Sequence, residues 1–372
     1  LGGGRRGAGR YADGRGARAS SLLAPRLAAG GGLAWLQTGV SIERLGSGEL
    51  LTVEGDPRTH GRPIVPGVAL DDALAGVFPK QTLHGQIMVD VASGEVVRQG
   101  DHGPERWQPP KRPPPGERPK NSFYPAHEFP EHMWGLTVDL DRCIGCGACV
   151  VACQAENNVA WVGPEGIQLG REMHWLRIER YWVESAAGAL DGPRPRFIPI
   201  MCQHCENAPC EPVCPVFAAY HTRDGLNAQI YNRCVGTRYC ANNCPYKVRR
   251  FNWFDYAWPA PLEQQLNPDV VVRSAGVMEK CTMCVQRIRE KWNRAKAEGR
   301  ALAEGEIVPA CAQTCPTGAI RFGDRKDDAA EVVRLAADGR AYRLLDYYLN
   351  VKPAVSYLCK VDRGPRPGGR EG

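Results

Sequence analysis

The stretch Cys202-Gln-His-Cys205-x4-Cys210-x3-Cys214-Pro215 is soon followed by Cys234-Val-Gly-Thr237-Arg-Tyr-Cys240-x3-Cys244-Pro245. Cysteine runs of the form Cys-x2-Cys-x2-Cys-x3-Cys-Pro ligate iron–sulfur clusters, and the fourth thiolate of such a run binds the other cluster of a pair. The proline after the fourth cysteine fixes the turn at that point. The later run has this form except at Thr237, which stands where the second cysteine belongs. Because one thiolate is missing, this run predicts a three-iron cluster.

Two further cysteine runs flank this stretch, and we number the four runs in chain order. The first run is Cys143-Ile-Gly-Cys146-Gly-Ala-Cys149-x3-Cys153, and the fourth is Cys281-Thr-Met-Cys284 with Cys311-x3-Cys315-Pro316. An amphipathic helix, predicted over residues 285–304, divides the fourth run. The runs predict an α+β fold with two ferredoxin-like pairs of runs, a double 2[4Fe–4S]-type arrangement, after a partial β-rich N-terminal region.

The ligand sets depend on how the runs pair. We pair the second run with the third, which is adjacent to it, and the first run with the fourth, which together enclose them. Exchange of the fourth thiolates then defines four sites. Site I is Cys143, Cys146, Cys149 and Cys315; site II is Cys281, Cys284, Cys311 and Cys153; site III is Cys202, Cys205, Cys210 and Cys244; site IV is Cys234, Cys240 and Cys214, with Thr237 at the missing position. The prediction is three [4Fe–4S] clusters, in sites I to III, and one [3Fe–4S] cluster in site IV.

The cysteines admit three other interpretations. Pairing the first run with the second and the third with the fourth would give site IV Cys315 in place of Cys214. A disulfide framework is disfavoured, because neighbouring cysteines in such loops cannot all find separate partners. Zinc is disfavoured because it takes four ligands per site and often histidine, whereas these runs have three cysteines plus one, followed by proline.

Composition predicts the domain organisation. Residues 1–30 are rich in Gly, Ala and Arg and are expected to be disordered. Residues 31–103 form a partial N-terminal region of short strands, and residues 104–130 contain a proline-rich linker. The four-cluster domain covers residues 131–372. Within it, strands are predicted near 135–140, 173–184, 196–201 and 354–361, a short helix at 150–157, a hairpin around Asp224-Gly225, and two helices in 328–350.

Three features lie outside the ligand sets. His204 is expected to be a hydrogen-bond donor near a cluster or a solvent-exposed residue rather than a ligand. Cys359 belongs to no run and is expected to be a buried free thiol. The basic and aromatic segment 247–254 is either a solvated face with anchored aromatics or a docking surface beside the three-iron cluster.

Charge and hydropathy exclude several partners. The chain has 372 residues and a formal net charge of +6, and it has no run of 18 apolar residues, so no transmembrane segment is expected. The mild basic balance says little about nucleic acid, and no stacking aromatics at recognition spacing support such a partner, so none is expected. Because the chain begins with Leu1, we expect a fragment or a processed product.

Residues 131–361 resemble the four-cluster electron-transfer subunits of polysulfide and dimethyl sulfoxide reductases. They are more similar to the iron–sulfur subunit of bacterial alternative complex III, on the segments CIGCGACVVACQAENN (143–158), GREMHWLRIERYW (170–182), DGLNAQIYNRCVGTRYCANNCPYKVRRFNWF (224–254) and EKCTMCVQRI (279–288). Residues 53–65 resemble the end of that family's N-terminal domain, which has a molybdopterin-enzyme fold without the cofactor. The resemblance implies that most of that domain is missing here.

The resemblance implies a role in a respiratory chain. The chain would be an electron-transfer subunit with no catalytic residue or substrate site of its own. It would receive electrons from quinol oxidation in a polytopic membrane subunit. Cytochrome c-type subunits would be further partners, and the location would be the periplasmic face of the cytoplasmic membrane. Two alternatives stay open: the electron-transfer subunit of a molybdopterin oxidoreductase, and a non-redox metal-binding interaction module.

Overall fold

A computed structural model describes residue 62 and residues 64–82, 85–93, 95–98, 127–183 and 194–363. By its contacts the chain divides into two units, Leu1–Leu51 and Thr52–Gly372, and all described residues belong to the second. The segment predicted to be disordered, part of the predicted N-terminal region and the proline-rich part of the linker lie outside the described residues. The predicted domain boundaries therefore stay predictions.

The described residues form short strands and short helices, with the longest helix next to the fourth cysteine run. The strands are β1 Gly67–Ala69, β2 Val77–Thr82, β3 Gly85–Asp90, β4 Val96–Arg98, β5 Trp134–Asp139, β6 Leu176–Val183, β7 Arg194–Met201, β8 Ala219–His221, β9 Asn227–Gln229, β10 Arg250–Phe251, β11 Met278–Glu279, β12 Ile320–Asp324, β13 Ala341–Tyr342, β14 Val355–Leu358 and β15 Lys360–Asp362. The α-helices are α1 Leu70–Leu74, α2 Ala148–Glu156, α3 Gly163–Gln168, α4 Tyr239–Asn243, α5 Val285–Ala297, α6 Ala310–Gln313, α7 Glu331–Ala336 and α8 Asp346–Leu349. Tyr231–Arg233 and Leu262–Gln265 are 3₁₀ turns.

A four-stranded sheet in the order β12-β5-β14-β13 joins the beginning of the cluster region to its end. Strand β5 leads into the first cysteine run and pairs antiparallel with β12, which follows the fourth run. It also pairs in parallel with β14. Since β5 is central and its side chains are nearly all buried, the sheet brings the first and fourth runs to the same end of the fold.

A long antiparallel hairpin, β6–β7, leads directly into the second run. Its register pairs Leu176 with Met201 and Val183 with Arg194. The short pairs β8–β9 and β10–β11 then lie on either side of the third run. The hairpin around Asp224-Gly225 is β8–β9, as the sequence predicts, with Gly225 at a φ of +81° that glycine adopts without a Cβ clash.

The described part of the predicted N-terminal region pairs with the last strand and contacts the side chain of Arg196. Strands β2, β3 and β4 form an antiparallel sheet, which agrees with the strands expected there. Strand β1 pairs in parallel with the last strand, β15. Arg196 on β7 donates to the Val65 carbonyl at 2.9 Å and contacts Asp362, so side-chain contacts reinforce this attachment.

One hydrophobic core contains both the sheet residues and eight of the sixteen cysteines, and three more cysteines pack against it. Trp134, Leu136 and Val138 on β5 pack in the same cluster as Ile198, Tyr357 and the buried thiols. The thiols are therefore held in low-dielectric surroundings. Among the residues that the structure describes, no helix combines the length and the apolar character that crossing a membrane requires.

Most of the predicted helices and strands are confirmed, but some of their ends differ from the prediction. The predicted helix over 285–304 is α5, which ends earlier at Ala297, where Gly299 follows with a φ of +68°. The two helices expected in 328–350 are α7 and α8, and the short strand β13 between them was not predicted.

Candidate iron–sulfur centres

Site I lies in a partly open cavity between the first cysteine run and the end of the fourth. Cys143, Cys146, Cys149 and Cys315 line this cavity, together with Pro316 and Ile178. Burial raises the pKa of the Cys149 thiol to about 12, and the neighbouring thiols of Cys143 and Cys146 add to the rise. Thiols this close, without a disulfide, form a donor set for a thiophilic metal cluster.

Site II joins Cys153 of the first run to three thiols of the fourth run, and three of its four cysteines are buried. Burial raises the pKa of Cys153 well above its ordinary value, and the nearby thiols of Cys281 and Cys284 raise it further, with Cys311. Asn157 lies one helical turn after Cys153, and its Nδ2 lies 3.7 Å from the Cys153 Sγ and 3.9 Å from the Cys284 Sγ. The amide thus donates towards two thiols of one site. Asn157 was not predicted from the sequence, although its position four residues after Cys153 was a usable signal.

Site III is a second cavity, lined by Cys202, Cys205, Cys210 and Cys244. All four thiols are buried. Burial raises the pKa of Cys205 well above its ordinary value, with further contributions from Cys202 and Cys244. These residues come from the second run and from the end of the third, so the structure brings those two runs together.

Site IV has only three thiols. Burial raises the pKa of Cys240, and Cys234 and Cys214 are the neighbouring thiols that raise it further. Thr237 is exposed in the loop between Cys234 and Cys240, and the residue after it, Arg238, caps the N-terminus of helix α4 with a φ of +60°. The Met278 N–H on β11 donates to the Cys234 Sγ at 3.3 Å.

The cysteines that precede proline in the second and fourth runs share one geometry. The Ala218 N–H donates to the Cys214 Sγ, and the Ala319 N–H to the Cys315 Sγ, both at 3.2 Å. Burial acts to raise the pKa of each thiol, but these and neighbouring hydrogen bonds lower both values below the ordinary range. The turn after the cysteine therefore favours the thiolate, which is the form that binds metal.

Arg249 is buried between sites III and IV. Its exposed fraction is 5%, and its guanidinium donates to Gln229 Oε1 at 2.7 Å and to Asn227 Oδ1 at 2.9 Å. Burial would lower its pKa, but the thiolates of Cys210 and Cys240 raise it. The prediction that the basic side chains of 247–254 form a surface is therefore wrong for Arg249. It is also wrong for Arg250, which is buried against Glu172 and the His174 carbonyl.

Lys280, a further buried basic residue, immediately precedes the fourth run. Its side chain is fully buried and donates to the Cys281 carbonyl at 2.9 Å and to the Asn227 carbonyl. His204 is 1% exposed and accepts the Asn227 N–H at its Nδ1 at 3.1 Å. Burial holds the pKa of His204 well below its usual range, and the Lys280 charge lowers it further. The expectation of a solvent-exposed His204 is wrong, because the chain folds over it.

The donor sets fit iron–sulfur clusters. The chain has 16 cysteines, all within the described residues and all free of disulfides. Backbone and amide N–H groups point at their sulfurs, as they do around cluster thiolates. Cys359 stands apart as a fully buried free thiol, as predicted, and burial raises its pKa to about 12.

Comparison with known proteins agrees with this chemistry. Two family models described as 4Fe–4S dicluster domains match residues 142–218 and 194–259. The iron–sulfur cluster-binding subunit of menaquinone reductase from Nitratidesulfovibrio vulgaris is 41% identical over 237 residues, which is 61% of this chain and 89% of that relative. This chain belongs to the family of iron–sulfur electron-transfer subunits.

Further relatives show how widely this family of iron–sulfur subunits is used. The Hdr-like menaquinol oxidoreductase iron–sulfur subunit 1 of Archaeoglobus fulgidus is 33% identical over 239 residues, 58% of this chain and 82% of the relative. One of the selenate reductase subunits of Mesobacillus selenatarsenatis is 32% identical over 238 residues, 61% of this chain and 72% of the relative. These relatives are subunits of a menaquinone reductase, a menaquinol oxidoreductase and a selenate reductase, and an electron-transfer role disfavours the non-redox interaction module.

Proposed function

We propose that this iron–sulfur subunit relays electrons through three [4Fe–4S] clusters and one [3Fe–4S] cluster in a quinol-oxidising respiratory complex similar to alternative complex III. The observation that carries the proposal is Thr237, exposed at the position where the third run lacks its second cysteine. Bound iron–sulfur clusters would supply one-electron redox chemistry. The menaquinone- and menaquinol-linked relatives support a quinone-linked complex.

The chain's own residues hold the relay and set its electrostatics. Cys143, Cys146, Cys149 and Cys315 would bind one cluster, Cys281, Cys284, Cys311 and Cys153 a second, Cys202, Cys205, Cys210 and Cys244 a third, and Cys234, Cys240 and Cys214 the three-iron cluster. The hydrophobic core excludes water from most of these thiols. Arg249, buried between sites III and IV, and Lys280, buried beside Cys281, offset negative charge on the thiolates, which stabilises the reduced state.

The docking surface for the membrane partner is proposed at Trp253 and Phe254. They are 39% and 51% exposed and follow strand β10, whose partner β11 donates to Cys234 of site IV. The Arg238 guanidinium lies 4.9 Å from the Trp253 ring centroid, and the Arg171 guanidinium lies 5.3 Å from that of Phe254. Aromatic side chains flanked by arginine suit a protein interface. The partners would be a polytopic quinol-binding subunit and cytochrome c-type subunits, on the periplasmic face of the cytoplasmic membrane.

The test is the iron content and the low-temperature electron paramagnetic resonance spectrum of the anaerobically purified, oxidised chain. We expect about 15 irons per chain and the signal of an oxidised three-iron cluster. This signal should disappear on mild reduction. A silent oxidised spectrum with about 16 irons would instead show four cubanes.

The second candidate is the electron-transfer subunit of a molybdopterin oxidoreductase. The similarity to a component of selenate reductase favours it. Purification of the native complex distinguishes the two, because this candidate requires a molybdopterin-containing subunit in stoichiometric amount, and the main proposal requires quinol oxidation without molybdenum.

A further inference from the structure

Outside the four cysteine sites, three side chains place their ligand atoms within 4.8 Å of one another: His127, Glu211 and His221. Glu211 lies in the loop between Cys210 and Cys214, and His221 ends strand β8. His127 is at the beginning of the described segment 127–183, far from the other two along the chain. Only the tertiary fold brings the three together.

The hydrogen bonds of His221 determine which of its nitrogens carries a lone pair. The Nε2 lies 2.8 Å from the Cys205 carbonyl oxygen, which can only accept, so Nε2 carries a proton. The Nδ1 lies 2.8 Å from one oxygen of Glu211 and 2.9 Å from the other. A neutral ring would then direct its Nδ1 lone pair at a carboxylate. Either a proton shared by the ring and the carboxyl group or a metal ion held by both would make this contact favourable.

The third group, His127, favours the metal ion. Its ring centroid lies 4.2 Å from that of His221, with the planes tilted by 34°. A proton shared between His221 and Glu211 needs no further donor, whereas a metal ion needs several. Two imidazoles and one carboxylate are a donor set that suits zinc. The bond from Nε2 to a backbone carbonyl is the arrangement that orients metal-binding histidines.

The surroundings suit a partly buried ion. The side chains of His221 and Glu211 are 5% and 17% exposed, and His127 is half-buried. The Asn227 Nδ2 donates to Glu211 Oε1 at 2.5 Å, which holds the carboxylate in place. The remaining exposure leaves room for water as a fourth ligand.

We propose that His127, Glu211 and His221 bind one divalent transition-metal ion, with Zn²⁺ as the best fit. The ion fastens the segment at His127 to the loop that carries Cys205 and Cys210, and so supports site III without taking part in electron transfer.

Zinc binding to the full chain, purified anaerobically with its iron and stripped with a mild chelator, tests the proposal. Titration calorimetry with Zn²⁺ and elemental analysis should find one zinc per chain in addition to the iron. In the His127→Ala variant the affinity should fall at least about tenfold at unchanged iron content. The matched control is His132→Ala, which removes a histidine from the same segment that pairs with Asp324 at 2.7 Å and should leave zinc binding unchanged.

Zinc-edge X-ray absorption keeps the test decisive even where a variant folds poorly. Zinc in the proposed site has nitrogen and oxygen neighbours at about 2.0–2.1 Å, whereas zinc in a vacated cysteine site has sulfur neighbours at about 2.3 Å. A sulfur shell, no zinc uptake by the wild-type chain, or equal affinity in His127→Ala would each overturn the proposal. The contact between His221 and Glu211 would then be a hydrogen bond with a shared proton.

Discussion

At the scale of single residues, Thr237 controls the iron content of site IV in our proposal. Replacement by cysteine restores the spacing that the other runs have, so Thr237→Cys should convert the three-iron cluster to a four-iron cluster. The iron content should rise by about one per chain, and the three-iron signal should vanish. Thr237→Ser, which keeps a hydroxyl, is the matched control and should retain the signal. An unchanged spectrum in Thr237→Cys would contradict the assignment.

Arg249 is the residue that we expect to influence two centres at once. Its charge faces thiols of site III and site IV, and a positive charge stabilises the more negative, reduced state. Arg249→Gln should therefore lower the reduction potentials of both centres. A unit charge at about 7 Å in an effective dielectric constant of about 20 corresponds to roughly 2 kcal/mol, on the order of 100 mV for one electron.

A redox titration followed by paramagnetic resonance measures the effect of Arg249→Gln. The control is Lys247→Gln, which removes an equal charge from an exposed side chain two residues away and should shift the potentials much less, because water screens it. Equal shifts in the two variants would show that burial of Arg249 does not matter.

At the scale of elements, the loop of the first cysteine run contains a matched pair of glycines. Gly145 and Gly147 have φ values of +68° and +77°, where any other residue is strained. A Cβ on Gly145 would also meet the Phe197 ring on β7 at 2.4 Å, whereas one on Gly147 would meet nothing within 4 Å. The hairpin β6–β7 thus packs directly on the loop of site I.

Gly145→Ala should consequently destabilise the loop more than Gly147→Ala does. Both variants carry the backbone strain, and only Gly145→Ala adds overpacking, which costs about 1–3 kcal/mol. We expect a lower midpoint for the thermal loss of cluster absorbance in Gly145→Ala, and partial loss of iron. The double variant Gly145→Ala/Phe197→Ala should recover part of the difference. Equal midpoints for the two single variants would exclude the ring contact as the cause.

At the scale of the whole molecule, the exposed aromatic pair predicts where a membrane partner docks. The double variant Trp253→Ala/Phe254→Ala should weaken assembly with the membrane subunit on the order of tenfold or more, as the loss of central aromatic contacts does elsewhere. The measurement is the share of the chain that co-purifies with the solubilised complex, with iron content as the check on folding. Trp182→Ala, at an exposed tryptophan on β6, is the control. Normal assembly of the double variant would place the interface elsewhere.

The spacing of the cysteines is enough to predict that this protein binds iron–sulfur clusters. A two- or three-residue gap sets how thiols surround a small cluster, and this local geometry needs no knowledge of the rest of the chain. The strand predicted near 135–140 and the turn at Asp224-Gly225 likewise depend on local sequence, and β5 and the hairpin β8–β9 lie where they were predicted. The cluster type at each site stays a prediction.

The sequence pattern does not show which polar side chains are buried, because their burial depends on the tertiary structure. In the sequence Arg249 and Arg250 are part of a basic segment, and such segments are usually solvated. The fold buries both, because the thiolates around Arg249 and the carboxylate of Glu172 beside Arg250 offset the cost of removing a charge from water. The proximity of His127 to Glu211 and His221 likewise cannot be predicted from the sequence pattern. Contacts of this kind depend on how distant segments pack, and no local spacing encodes them.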